Sequence, residues 1–168
     1  MEFIVDFQAF KDLTNRFIIK ELTILSENGC LSKTFMFKPP IPFNRLPQKL
    51  QKQTRWLEQF YHGIRWSSGD TSYGDIVKIF SDLILKGDIF VTDIKKKQCL
   101  EEILLPFFED IKIFNLQDFG CPGLKFLKRR QLNRQMYGKC PFPHKSVNCS
   151  TLNACLLLQW WREKKVAS

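Results

Sequence analysis

The chain has 168 residues, 44% of them hydrophobic, and carries 26 Lys/Arg against 17 Asp/Glu for a net charge of +9. That length suits one domain with a real core, and no run of about eighteen apolar residues predicts a membrane span. The opening residues Met1–Asp6 lack the basic start of a secretory signal, so we expect an intracellular protein, nuclear or cytoplasmic, whose cysteines are thiols or metal ligands rather than disulfides.

In chain order, Phe3–Gln8 is an apolar run rich in β formers and predicts a buried strand. A turn at Asp12–Asn15 leads to a second strand over Phe17–Leu25. Glu27-Asn28-Gly29 predicts a hairpin turn, and a third strand spans Leu31–Lys38 before Pro39-Pro40. Three sequential strands with short turns predict an antiparallel unit. Helical spacing follows Pro47, with Leu50, Trp56, Leu57 and Phe60 on one face, ending at His62-Gly63. A second helix runs from Tyr73 to about Leu85, capped by Asp70-Thr71-Ser72, with Ile76, Ile79, Phe80, Leu83 and Ile84 in register. Ile89–Val91 reads as a fourth strand, Lys95–Leu105 as a helix stopped by Pro106, and Lys112–Leu116 as a fifth strand. A short helix over Phe119–Leu127 precedes a looser basic segment to about Cys149. The last helix, from Ser150 or Thr151 to about Lys164, is apolar nearly all round and belongs against the sheet. The fold class is therefore α/β, a mixed sheet with β/α crossovers and helices on both faces, in a single domain over residues 1–168.

The charge is lopsided. Residues 1–110 hold equal numbers of acids and bases, so the whole excess of +9 lies in residues 111–168. Lys125, Lys128, Arg129, Arg130, Arg134, Lys139 and Lys145 crowd one stretch. Such a patch attracts phosphate, which predicts nucleic acid as a partner. An acidic protein partner or a merely solvated face are the alternatives, and no membrane partner is indicated.

The same region holds Cys140-x3-His144-x4-Cys149, with Cys121 upstream in the turn Gly120-Cys121-Pro122-Gly123. Three thiols and an imidazole are a set that suits a closed tetrahedral zinc site. We expect a structural zinc on Cys121, Cys140, His144 and Cys149, within a basic loop over about residues 119–150. The alternative is ordinary core cysteines with a surface histidine. Cys30, Cys99 and Cys155 read as core residues, and His62 as structural. Trp56, Tyr61, Trp66 and Tyr73 read either as packing or as a base-stacking platform.

The element order, together with Phe3–Gln8, His62-Gly63-Ile64, Ile89–Asp93 and His144-x4-Cys149, resembles the ribonuclease H-like fold and, within it, the DEDDh 3′–5′ exonucleases. The resemblance implies a site of four acids holding two divalent ions, with a histidine as general base. Asp6 matches the first acid. Gln8 stands where the Glu belongs, Lys95-Lys96-Lys97-Gln98 occupies the place of the second-motif Asp, and Cys149 replaces the last Asp. Asp6, Asp93 and His144 are the remnant catalytic candidates, with Mg or Mn as cofactor only if that chemistry survives. The departures make the chain similar to the Maelstrom domain of germline small-RNA silencing, an exonuclease-like fold whose zinc site uses Glu, Cys, His and Cys. That likeness offers Glu101 or Glu102 as the fourth ligand in place of Cys121, and favours RNA over DNA. The expected function is a non-catalytic nucleic-acid-binding module on an exonuclease-like scaffold braced by zinc. The alternatives are an active metal-dependent 3′–5′ exonuclease or single-strand ribonuclease, and a protein-interaction adaptor in a small-RNA or transposon-silencing complex.

Overall fold

Side chains on a strand alternate between faces, and the first strand uses both of its faces for packing. We describe residues 1–84, 87–131, 140–142, 144 and 148–168 of a computed structural model. Strand β1 (Glu2–Lys11) sends Phe3, Val5 and Phe7 into one core and Ile4 into another. Strands β2 (Phe17–Ser26), β3 (Ser32–Met36), β4 (Asp88–Val91) and β5 (Lys112–Asn115) complete a five-stranded sheet of order β3-β2-β1-β4-β5. β1 pairs antiparallel with β2, and β2 with β3. β1 pairs parallel with β4, and β4 with β5. The sheet as a whole is therefore mixed and not three antiparallel strands alone: β1, β2 and β3 pair antiparallel, and the central β1 has a parallel neighbour, β4, on its other edge.

The helices cover both faces. Helix α1 (Gln48–Trp56) continues into a π-helical turn at Leu57–Tyr61. A 3₁₀ turn at Tyr73–Asp75 leads into α2 (Ile76–Ile84), and α3 spans Ile94–Leu104. Helix α4 (Leu124–Gln131) and helix α5 (Ser150–Ala167) follow β5. Ile76, Ile79 and Phe80 of α2 and Leu100 and Leu104 of α3 pack with Phe3, Val5 and Phe7. Leu127 of α4 and Ala154, Leu156, Leu157 and Trp161 of α5 pack with Ile4, Leu25 and Phe90 on the opposite face. The expected helix over Phe119–Leu127 is instead two pieces, a 3₁₀ turn at Leu116–Phe119 and α4. Gly120 separates them at φ +87°, a conformation that glycine adopts without a Cβ clash. Cys30, expected in the core, is exposed beside the β2–β3 hairpin, whereas Cys99 is buried.

A β-bulge sets the chemistry of β2. Gln8 pairs with Glu21, but Ala9 pairs with Ile19, so Lys20 is the extra residue. Lys20 is buried, and its Nζ donates to the carbonyls of Phe37 and Trp66, each at 2.7 Å, and to that of Ser68. Ile19 joins Leu22 and Ile24 in the first core, while Glu21 and Thr23 reach the start of α5 on the other face.

Candidate metal centre and adjoining cleft

Glu21 is a fully buried carboxylate in an apolar strand, and its two oxygens have different partners. Oε1 accepts from the backbone N–H and the hydroxyl of Ser150, each at 2.7 Å, so it caps the first turn of α5. Oε2 lies 2.9 Å from His144 Nε2 and 3.4 Å from Cys140 Sγ. Cys140 Sγ is 3.5 Å from His144 Nε2. With Cys149, the residue before α5, the ligand atoms of Glu21, Cys140, His144 and Cys149 all lie within 4.8 Å of one another. They are the one such grouping among the described residues.

The donor set fits a tetrahedral ion. Zinc bonds of about 2.0–2.3 Å place ligand atoms roughly 3.3–3.8 Å apart, close to two of the three separations above. Two thiols, an imidazole and a carboxylate are compatible with zinc.

The protonation states of these four side chains are linked. A hydrogen bond from Cys149 and another from His144 pull the Cys140 thiol down to about 5, against the effect of burial. Cys149, which donates to Cys140 and is buried, is pushed well above the ordinary thiol range. Cys140 and then Glu21 raise His144 to about 10. Burial alone would raise Glu21, yet its hydrogen bonds from His144 and Ser150 hold it below the usual carboxylate value.

Cys121 belongs elsewhere. It is buried in the α4–α5 core with Leu116 and Leu127, its Sγ 3.5 Å from the Pro122 carbonyl, and burial pushes its thiol to about 12. Glu101 and Glu102 lie on α3 around a different pocket, Glu101 paired with Lys97 at 3.7 Å. Sequence reasoning missed Glu21. Its signal was a Lys-Glu pair interrupting an otherwise apolar strand.

Across β1 lies a cleft of about 750 Å³, lined by Gln8, Tyr61, Asp93, Lys95, Lys96, Lys125, Lys128, Asn148 and Asn153 among others. Asp6 sits fully buried beneath it. Its Oδ1 accepts from Lys96 Nζ at 2.5 Å and from the Thr92 hydroxyl at 3.0 Å, and its Oδ2 from Asn153 Nδ2 at 2.9 Å. An ammonium group thus holds Asp6 where a metal ligand would need open lone pairs. Asp93 caps α3 by accepting from the Lys96 backbone N–H at 3.0 Å. His144 lines a separate pocket with Ile64 and Phe142. The three remnant catalytic candidates therefore do not form one acid cluster.

The basic residues divide by helix face. Lys125 and Lys128, three apart on α4, line the cleft, and Lys128 Nζ donates to Asn148 Oδ1 at 3.3 Å. Arg129 is exposed, and Arg130 turns to Glu163 of α5 at 3.7 Å. Arg134, Lys139 and Lys145 lie outside the described residues. The aromatics also divide. Trp66 is buried against Phe10 and Tyr73 packs on the first core, whereas Trp56 and Tyr61 are exposed.

Among solved structures, the chain is similar to a full-length 3′-exonuclease at 14% identity and TM-score 0.56, covering 99% of this chain and 81% of that one. It is also similar to Escherichia coli Exonuclease I in complex with a dT13 oligonucleotide, at 12% identity and TM-score 0.54, covering 99% of this chain and 41% of that one. At these identities the likeness shows an exonuclease-like fold. No protein-family model matches the chain, and no curated protein sequence does.

Proposed function

We propose that this chain is a non-catalytic nucleic-acid-binding module, an exonuclease-like scaffold whose cleft binds phosphates and whose zinc centre is structural. The carrying observation is the Lys96–Asp6 contact at 2.5 Å. Two-metal hydrolysis needs carboxylates that share divalent ions. Here Asp6 is engaged by Lys96, Thr92 and Asn153, and Gln8 is a neutral neighbour on the same strand. The residues do not fit an Mg or Mn pair.

The cleft instead offers Lys95, Lys125 and Lys128 to an anion. Exonuclease I, of similar fold, was crystallised with an oligonucleotide, which supports nucleic acid over an acidic protein as the ligand. RNA in preference to DNA is the expectation from the Maelstrom likeness, and Glu21 gives the metal centre the Glu-Cys-His-Cys composition of that domain. Zinc there supplies a closed cross-link and no reactive water. Glu21 and Cys149 bring it to the junction of β2 and α5.

The test pairs binding with turnover. Single-stranded RNA and DNA oligonucleotides are expected to bind with salt-sensitive affinity, to remain intact with Mg²⁺ or Mn²⁺, and to bind more weakly to a Lys125→Ala/Lys128→Ala variant. Cleavage that Asp6→Ala abolishes would overturn the proposal.

A further inference from the structure

Resting on that reading, we propose that Trp56, Phe60 and Tyr61 form a base-stacking subsite, so that the cleft takes strands with unpaired bases. These side chains are 54%, 65% and 46% exposed, although large aromatic rings contribute most when buried. Trp56 lies beside both of the others. Trp56 and Tyr61 are near-parallel, 21° between planes and 6.4 Å between centroids, and Trp56 and Phe60 are 6.2 Å apart.

The backbone explains the alignment. In an α-helix, residues three and four apart share a face and residues five apart do not. The turn at Leu57–Tyr61 is π-helical, with the His62 N–H donating to the Leu57 carbonyl at 3.1 Å. That added residue per turn brings Tyr61 round beside Trp56. Such turns are uncommon and recur at functional sites. Below them, His62 is fully buried edge-on to Phe10, which fixes the turn to the sheet.

A second observation links the rings to the phosphate sites. Tyr61 lines the same cleft as Lys95, Lys125 and Lys128. Asn148 spans the two, accepting from Lys128 Nζ at 3.3 Å and donating to the Tyr61 carbonyl at 3.0 Å. Helix α1, which carries Trp56, also presents Lys49, Lys52 and Arg55 at intervals of three, all exposed, and contains no acid. An aromatic patch beside the cleft cations, on a helix that itself carries cations and no acid, suits a polyanion with flat apolar faces. Single-stranded nucleic acid has that chemistry, since its bases are unstacked and its phosphates continuous. In a duplex the faces are already stacked.

The experiment uses the full chain and fluorescent 12-nucleotide oligouridylate, oligothymidylate and a blunt 12-base-pair RNA duplex. Trp56→Ala and Phe60→Ala are each expected to weaken single-strand binding about 5- to 150-fold, with duplex binding and the thermal melt unchanged. Trp56→Tyr is expected to restore most of the affinity. Binding should also quench tryptophan fluorescence in the parent chain and much less in Trp56→Tyr. Wild-type single-strand affinity in Trp56→Ala, alongside weakened binding in Lys125→Ala/Lys128→Ala, would overturn the subsite and leave the proposed function standing. Binding of no oligonucleotide would overturn both. A dimer of the parent chain in sedimentation that Trp56→Ala dissolves would assign the rings to self-association and also overturn the subsite.

Discussion

Glu21 shows how one side chain serves two structures at once: Oε1 holds the start of α5, and Oε2 faces His144 and Cys140. Partners behind a metal ligand typically change affinity about 10–100-fold when removed. Ser150→Ala deletes the hydroxyl donor but keeps the backbone one, so zinc affinity is expected to fall about tenfold, measured by competition with a chromogenic chelator. Proton linkage gives a second prediction. The directions of these shifts predict that near pH 7, before zinc binds, Cys140 is a thiolate and Glu21 a carboxylate, with His144 and Cys149 protonated. A zinc ion needs both thiolates and a neutral imidazole, so about two protons leave on binding. Affinity should therefore climb about 100-fold per pH unit, from the Cys140 value of about 5 up to the His144 value of about 10. Calorimetry in buffers of different ionisation enthalpy counts the protons, and a count near zero would contradict these protonation states. At Asp6 the magnitude is larger. Removing one partner of a buried pair costs about 3–5 kcal/mol, and Thr92 and Asn153 remain on Asp6. Lys96→Met should therefore destabilise by about 3 kcal/mol in denaturant unfolding. Adding Asp6→Asn should recover much of that loss, whereas a simple sum of the two single effects would sink the coupling.

At the level of elements, the cluster of Glu21, Cys140, His144 and Cys149 joins β2 to the N-terminus of α5, and the proposed zinc would brace that junction. Removing the ion, or replacing Cys149 with Ala, is expected to raise amide exchange in the first turns of α5 while β1, β4 and β5 stay protected, because Ile4, Phe90 and Leu157 pack without it. Uniform loss of protection would show instead that the whole fold depends on the ion. Much of this architecture was readable from alternation and spacing. Phe3–Gln8 and Ile89–Val91 sit inside strands, and Cys140, His144 and Cys149 meet in one cluster. The Lys-Glu interruption marked Glu21 as unusual, but its place in the cluster was not readable, because it is 119 residues from Cys140 and a strand acid offers no spacing cue. Cys121 misled for the opposite reason. It is close in sequence to the cluster and next to a rigid turn, yet Leu116 and Leu127 bury it. The parity of β2 depended on the bulge at Lys20, and the pairing of Trp56 with Tyr61 depended on a π turn. Neither has a sequence signature at the resolution of hydrophobic periodicity.

Across the molecule, charge position matters more than total charge. The net +9 suggests a broad cationic surface, but the described cations divide into paired and available groups. Lys20 is buried on carbonyls, Lys96 is held by Asp6, Arg130 faces Glu163, and Lys165 lies 2.8 Å from Glu2. Lys95, Lys125 and Lys128 line the cleft without an acidic partner among the described residues, Lys128 also donating to the neutral Asn148 amide. For single strands, each neutralised phosphate contributes about −0.7 to the slope of log affinity against log salt. Three contacts predict a slope of about −2, and contacts from α1 would steepen it. Lys125→Ala/Lys128→Ala should make the slope shallower by about 1.4 units. Trp56→Ala should lower affinity with the slope unchanged, since a ring releases no counterions. Fluorescence anisotropy between about 50 and 200 mM salt separates the two. A slope that stays the same in the double lysine variant would place the phosphates elsewhere on the surface.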